Sequence, residues 1–148
     1  MTITYEWRGA FDDADLGRLH AEGFGGAPPG GDWWARVNRH SLGWVCARAG
    51  GRLVGFVNVA WDGGGHAFLL DTVVATALRR RRVGARLVAV AAGGARAAGC
   101  VWLHVDFEPQ LRTFYLDACG FRPTPAGVLP LSGGADPRPP TGHRPHHI

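Results

Sequence analysis

The chain has 148 residues, with sixteen arginines and no lysine against twelve acidic residues, for a formal net charge of +4. That length suits one domain with one substantial core, and no uninterrupted apolar run reaches the length of a membrane span. Arginine is abundant together with alanine, glycine and proline, so net charge says little about partners, and the position of each arginine is the better guide.

The opening MTITYEWRGAFDDADL lacks the basic and apolar regions of a signal peptide. Ile3 to Trp7 alternates apolar and polar residues, which predicts a first strand. Asp12, Asp13 and Asp15 ahead of Leu16 and Leu19 predict a helix with acids in its first turn. Gly23 to Gly31 reads as a loop, and Asp32 as the N-cap of a helix from Trp33 to Arg39. Trp44–Arg48 and Leu53–Trp61 read as strands joined through Gly50-Gly51, a hairpin signal. A second glycine turn, Asp62 to Gly65, leads into a strand ending at Val74, which makes an antiparallel meander. Beyond Arg82, the spacing of Val83, Leu87, Val90 and Gly94 predicts a long helix. That helix should cross over to a strand at Val101–Phe107, parallel to Leu69–Val74. Pro109 opens a short helix through Tyr115 that Gly120 ends, and Ala126–Leu131 is a candidate last strand. From Ser132 the composition turns to proline and glycine, so residues 1–131 are expected to form one domain and 132–148 a disordered tail. Cys46, Cys100 and Cys119 have no CxxC spacing and suggest buried free thiols of a reducing cytoplasm; no metal site is expected.

The most unusual stretch follows the strand Leu69–Val74. Arg79, Arg80, Arg81 and Arg82 precede Val83, Gly84 and Ala85, and no acidic residue occurs between Asp71 and Asp106. The first turn of a helix exposes unpaired N–H groups and a partial positive charge, so arginines there are disfavoured unless an anion sits among them. A phosphate reverses the sign, because N–H groups and guanidinium forks converge on it. The alternative is a solvated basic turn.

Arg79 to Gly84 resembles the (Arg/Gln)-x-x-Gly-x-(Gly/Ala) pyrophosphate loop of the GNAT acyltransferase superfamily, with Arg82 at the first glycine position. Phe114-Tyr115-Leu116-Asp117-Ala118-Cys119-Gly120-Phe121 resembles that family's Phe-Tyr-x-x-x-Gly-Phe signature with one extra spacer residue. The match covers about residues 50 to 125 well. It implies an α/β (α+β type) fold, whose mixed, mostly antiparallel central sheet carries a parallel splayed strand pair and flanking helices. It implies an N-acetyltransferase using acetyl-CoA by direct attack in a ternary complex, the first helix–loop–helix covering the acceptor. Arg79, Arg80, Arg81, Arg82, Val83, Gly84 and Ala85 would then hold the pyrophosphate. The backbone of Thr72, Val73 and Val74 would pair with the pantetheine amides, with Phe114 counted beside them. Tyr115 would protonate the leaving thiolate.

An amine acceptor must also lose a proton, and Asp71 and Glu108 are the candidate bases. A carboxylate within an apolar strand is costly unless paired or functional, and Glu108 ends the neighbouring strand. His66 and His104 are weaker candidates. Trp33, Trp34, Trp44 and Trp61 suggest either an aromatic acceptor pocket or core filling. A non-catalytic sensor of CoA or a small molecule is the first alternative. Nucleic-acid binding ranks last, since four arginines in one turn form a point rather than a stripe. The acceptor and any homodimer stay open.

Overall fold

The computed structural model describes residues 2–24 and 31–132. Its centre is a five-stranded sheet in the order β1 (Ile3–Trp7), β2 (Ser41–Ala49), β3 (Arg52–Trp61), β4 (His66–Val74) and β5 (Trp102–His104). The first three pairings are antiparallel and β4 with β5 is parallel, the mixed sheet that the resemblance implies. The β2–β3 turn takes positive φ at Gly50 (57°) and Gly51 (84°), whose local twist matches that of the flanking strands.

Helix α1 (Asp13–Phe24) lies on β3 and β4, α2 (Trp33–His40) on β2, and α3 (Val83–Ala97) spans β1 to β4. Alternation along β3 separates the layers. Gly55 faces Leu87 of α3, whereas Phe56 on the opposite face meets Phe11 and Trp33. Both faces being covered, Leu53 to Val59 is buried without interruption. Phe56 and Leu87 are fully buried, each contributing about 1.5–3 kcal/mol by leaving water.

The buried stripe of α3 is Val83, Leu87, Val88, Ala91 and Ala95, with Val90 and Gly94 half-buried at its margin rather than in it. Gly94 has a different purpose. A Cβ there would lie 2.6 Å from the Trp7 ring, and one on Gly43 2.3 Å from it, so the indole sits between two glycines. Asp32 occupies the N-cap position of α2 without a side-chain cap bond. Asp13 replaces it, its carboxylate accepting the Trp34 N–H at 2.8 Å from the start of α1.

Three expected elements differ. β5 is three residues long, not seven. Its partner bends: between the pairs Phe56↔Val73 and Asn58↔Leu70, Val57 alone opposes Asp71 and Thr72, and Asp71 takes φ 58°. Such a bulge kinks and twists its strand, so β4 turns away before a longer parallel ladder can form. The expected helix from Pro109 is a 3₁₀ turn, Pro109–Leu111, followed by a π-helical segment, Thr113–Ala118. Ala126–Leu131 forms no strand. Pro123, Pro125 and Pro130 lack N–H donors, β5 offers only a short edge, and Val128, Leu129 and Leu131 are exposed. The expectation of a disordered tail falls mostly on residues 133–148, which lie outside the described residues, as does most of the Gly23–Gly31 loop; α1 itself runs to Phe24.

Candidate active site

The parallel pair holds only through His66↔Trp102, Ala67↔Leu103 and Phe68↔His104. Beyond Phe68 no described strand pairs with β4 on its β5 side, so backbone groups of Leu69–Val74 pointing away from β3 face an opening. Thr72, Val73 and Val74 belong to this stretch and their side chains are buried. A separate cavity of about 290 Å³, lined by Ala49, Arg52, Val54, Ala75 and Leu78, opens on the β3 side of β4 and is not this opening.

At the end of β4 a 3₁₀ turn, Thr76–Leu78, leads to the arginines. They precede α3, which starts at Val83 with Arg82 as N-cap, as the helix expected beyond Arg82 should. That first turn contains no acid and no side chain caps it, so its N–H groups remain available to an anion. Val83 and Gly84 are buried and Ala85 half-buried, while Arg80, Arg81 and Arg82 are exposed. Arg79 is half-buried, and its Nε and Nη2 are shut off from solvent with no hydrogen-bond partner among the described residues. Burial pulls its pKa below the ordinary value, opposed by the charge of Glu22. Glu22 reaches the turn from α1, its Oε1 accepting the Thr76 N–H at 2.5 Å, and that bond holds its carboxyl below the usual range. The acid missing from the local sequence is thus brought near the turn by α1, where it bonds a backbone N–H 54 positions away and acts on Arg79 only through its charge.

Four described non-glycine residues take positive φ: Arg8, Asp71, Arg80 and Arg82. Three of them lie in the bulge and the arginine turn. A side chain in that region costs about 1–3 kcal/mol and persists only where surroundings enforce it, so backbone strain is concentrated at these two places.

Tyr115 is buried among Phe107, stacked at 5.0 Å, and Phe114 and Phe121, both edge-on. Phe114 is half-buried. The π-helical segment explains the additional spacer residue. A π turn closes i→i+5, as Cys119 N–H to Phe114 O does at 3.0 Å, and so takes one residue more than an α turn before Gly120. Gly120 then takes φ 80°.

The carboxylates separate. Asp71 Oδ1 lies 3.7 Å from His20 Nε2 of α1. Glu108 comes after β5, half-buried, its carbonyl accepting the Leu111 N–H at 2.9 Å. His66, which opens β4, and His104, which ends β5, bond to each other at 2.8 Å, and His104 is paired with Phe68 in the last rung before the opening. Trp33 and Trp44 belong to the core, Trp44 donating to Gly9 O at 2.7 Å, and Trp34 is partly exposed against Phe11. His20 and Glu22 escaped the sequence reading. One signal existed for His20: it lies four residues after Leu16, on the helix face that α1 buries. Glu22 had none, because its partner Thr76 is distant in sequence.

A model of the acetyltransferase (GNAT) family matches residues 7–121. Solved structures with the same fold include an acetyltransferase of Trypanosoma brucei (TM-score 0.70, 20% identity, 86% of this chain and 98% of that one). A GNAT-family acetyltransferase of Streptococcus pneumoniae gives a TM-score of 0.68 at 20% identity, over 88% of this chain and 99% of that one. AAC(6')-Iy in complex with the bisubstrate analog CoA-S-monomethyl-acetylneamine gives 0.67 at 18% identity, over 87% and 97%. No curated protein matches the sequence.

Proposed function

The chain belongs to the GNAT acetyltransferase family, and on that premise we propose that it transfers an acetyl group from acetyl-CoA to an amine by direct attack in a ternary complex. The observation that carries this reading is the parting of β4 from β5 beyond Phe68↔His104, with the acid-free start of α3 past the end of β4. A pantetheine arm carries two amides, and a strand with unpaired backbone groups is the complementary surface. The residues present fit the rest of such a molecule. The N–H groups at Val83, Gly84 and Ala85 suit a pyrophosphate, and so do Arg80, Arg81 and Arg82 in the exposed turn. Arg79 adds buried guanidinium N–H groups that lack an acceptor among the described residues. Arg82 takes a positive φ, a conformation glycine adopts at no steric cost, which supports reading it at the motif's first glycine position.

In the reaction, the amine nitrogen bonds to the thioester carbonyl carbon, the C–S bond then breaks, and the thiolate takes a proton. Tyr115 is the proposed donor of that proton, supported by its place in the signature and by its burial, since a phenol next to a nascent thiolate transfers readily. A backbone N–H of Thr72–Val74 is the proposed oxyanion donor. Glu108 remains a candidate base at the mouth. Three unpaired thiols support a reducing cytoplasmic setting, and no described helix is long and apolar enough to cross a membrane.

The test is thiol release from acetyl-CoA against a panel of primary amines, amino acids and short peptides, with a parallel thermal-shift titration of acetyl-CoA. Turnover of at least one amine together with stabilisation by acetyl-CoA is expected; bound ligand at a hundredfold excess over Kd adds about 2.7 kcal/mol. Stabilisation without turnover of any amine would favour the sensor, and neither would remove the CoA reading.

A further inference from the structure

We propose that His20 is the group that takes the proton from the acceptor amine, and that Asp71 is its positioning residue. The proposal rests on the acetyl-transfer reading above.

Asp71 is not placed like a strand residue. It occupies the bulge of β4 with φ 58°, opposite Val57, directly beside the stretch of β4 whose other edge is open. The left-handed conformation turns its carboxylate to α1, where Oδ1 lies 3.7 Å from His20 Nε2. Both side chains keep some solvent access, 19% for His20 and 28% for Asp71, so an incoming amine can reach the pair. The imidazole is fixed on its faces as well. Phe24 stacks on it at 4.3 Å and the buried Trp33 tilts against it at 4.9 Å. A ring held by two aromatics and one carboxylate has few orientations left. α1 is tied in turn to the arginine turn by Glu22 and Thr76, so the imidazole is carried on an element anchored at both β4 and the turn.

The chemistry follows from which nitrogen is occupied. At 3.7 Å the two are too far apart for a hydrogen bond, but the nearby carboxylate electrostatically favours the proton on Nε2, leaving the Nδ1 lone pair to accept. Among the described residues Nδ1 has no hydrogen-bond partner. When the amine nitrogen bonds to the carbonyl carbon it becomes cationic, and its proton passes to Nδ1, giving an imidazolium whose charge the carboxylate of Asp71 stabilises. C–S cleavage and protonation of the thiolate complete the balance, and the imidazolium returns its proton to solvent. Asp71 as direct base fits less well, because its carboxylate is turned toward the imidazole of α1.

Two variants test this with acetyl-CoA and the best amine from the panel above. His20→Ala should lower kcat by roughly 10²–10⁴, with acetyl-CoA stabilisation retained and turnover partly restored by added imidazole above the enzyme-free rate. Asp71→Asn keeps the bulge, since asparagine tolerates positive φ, and should lower kcat at least tenfold while leaving the KM for both substrates and the Tm unchanged. Turnover of His20→Ala within threefold of wild type would overturn the proposal alone. So would a loss that imidazole does not restore, or one accompanied by lost acetyl-CoA binding, either of which marks a structural role. His20→Gln, which keeps a polar group beside Asp71, must be as inactive as His20→Ala; activity in it also overturns the assignment. If the wild-type protein acetylates no amine, the reading beneath the proposal fails and the proposal goes with it.

Discussion

Arg82→Gly separates two roles for a residue standing where the family motif has glycine. Arg82 takes φ 63°, ψ 12° at the N-cap of α3, and its exposed side chain makes no cap bond. A Cβ in that conformation costs about 1–2 kcal/mol. Glycine removes the cost but gives the unfolded chain extra freedom worth about 0.5–1 kcal/mol. The difference predicts a stabilisation between zero and about 1.5 kcal/mol. At this chain length 1 kcal/mol corresponds to roughly 2–4 °C in Tm. In urea unfolding the midpoint should rise with m unchanged, since little exposed surface is altered. A lower midpoint would refute the strain argument and show that the side chain holds something in place. Acetyl-CoA titration of the same variant supplies the second readout. If backbone N–H groups bind the phosphates, affinity should stay within about threefold, a change under 1 kcal/mol. Loss of a charged hydrogen bond to phosphate costs about 1.5–3 kcal/mol, or roughly 10- to 150-fold in Kd. A loss of that size would make the Arg82 side chain itself a phosphate ligand.

Three further outcomes are expected. Tyr115→Phe keeps the ring against Phe107 and Phe121, so acetyl-CoA binding should hold while turnover falls roughly 10²–10⁴-fold; undiminished turnover would return Tyr115 to the core. Gly93→Ala and Gly94→Ala are neighbours in α3 with opposite surroundings, since a Cβ on Gly93 meets nothing within 4 Å and one on Gly94 meets Trp7 at 2.6 Å. The first should stabilise by up to about 1 kcal/mol through helix propensity, and the second should fall below it by about 1–3 kcal/mol from overpacking, measured by urea unfolding. Burial pushes the Cys46 thiol up to about 12 from 9.0, so its ionisation favours the unfolded chain once pH passes that lower value. Stability should therefore be intact below about pH 9 and decline as pH rises toward the folded value, and Cys46→Ala should make that decline shallower.

Where each determinant lies explains what could be read without coordinates. Local patterns fixed β1, the β2–β3 hairpin and the long helix after Arg82, because alternation, paired glycines and helical spacing act between near neighbours. The two signature stretches were legible for the same reason, and the family followed from them. The length of β5 was not legible, since it depends on the bulge at Asp71 and Thr72, a feature of how β4 meets β3. Nor could the final strand be judged from its residues alone, because pairing there requires an edge that β5 does not extend far enough to give. The chemistry at β4 was decided wholly in three dimensions. Asp71 stood out as a carboxylate in an apolar strand, but only folding brings His20 to it across 51 positions, and only folding sets Glu22 against Thr76 and within electrostatic reach of Arg79. Ion pairs and orphaned donors act through space, and sequence separation places no limit on them.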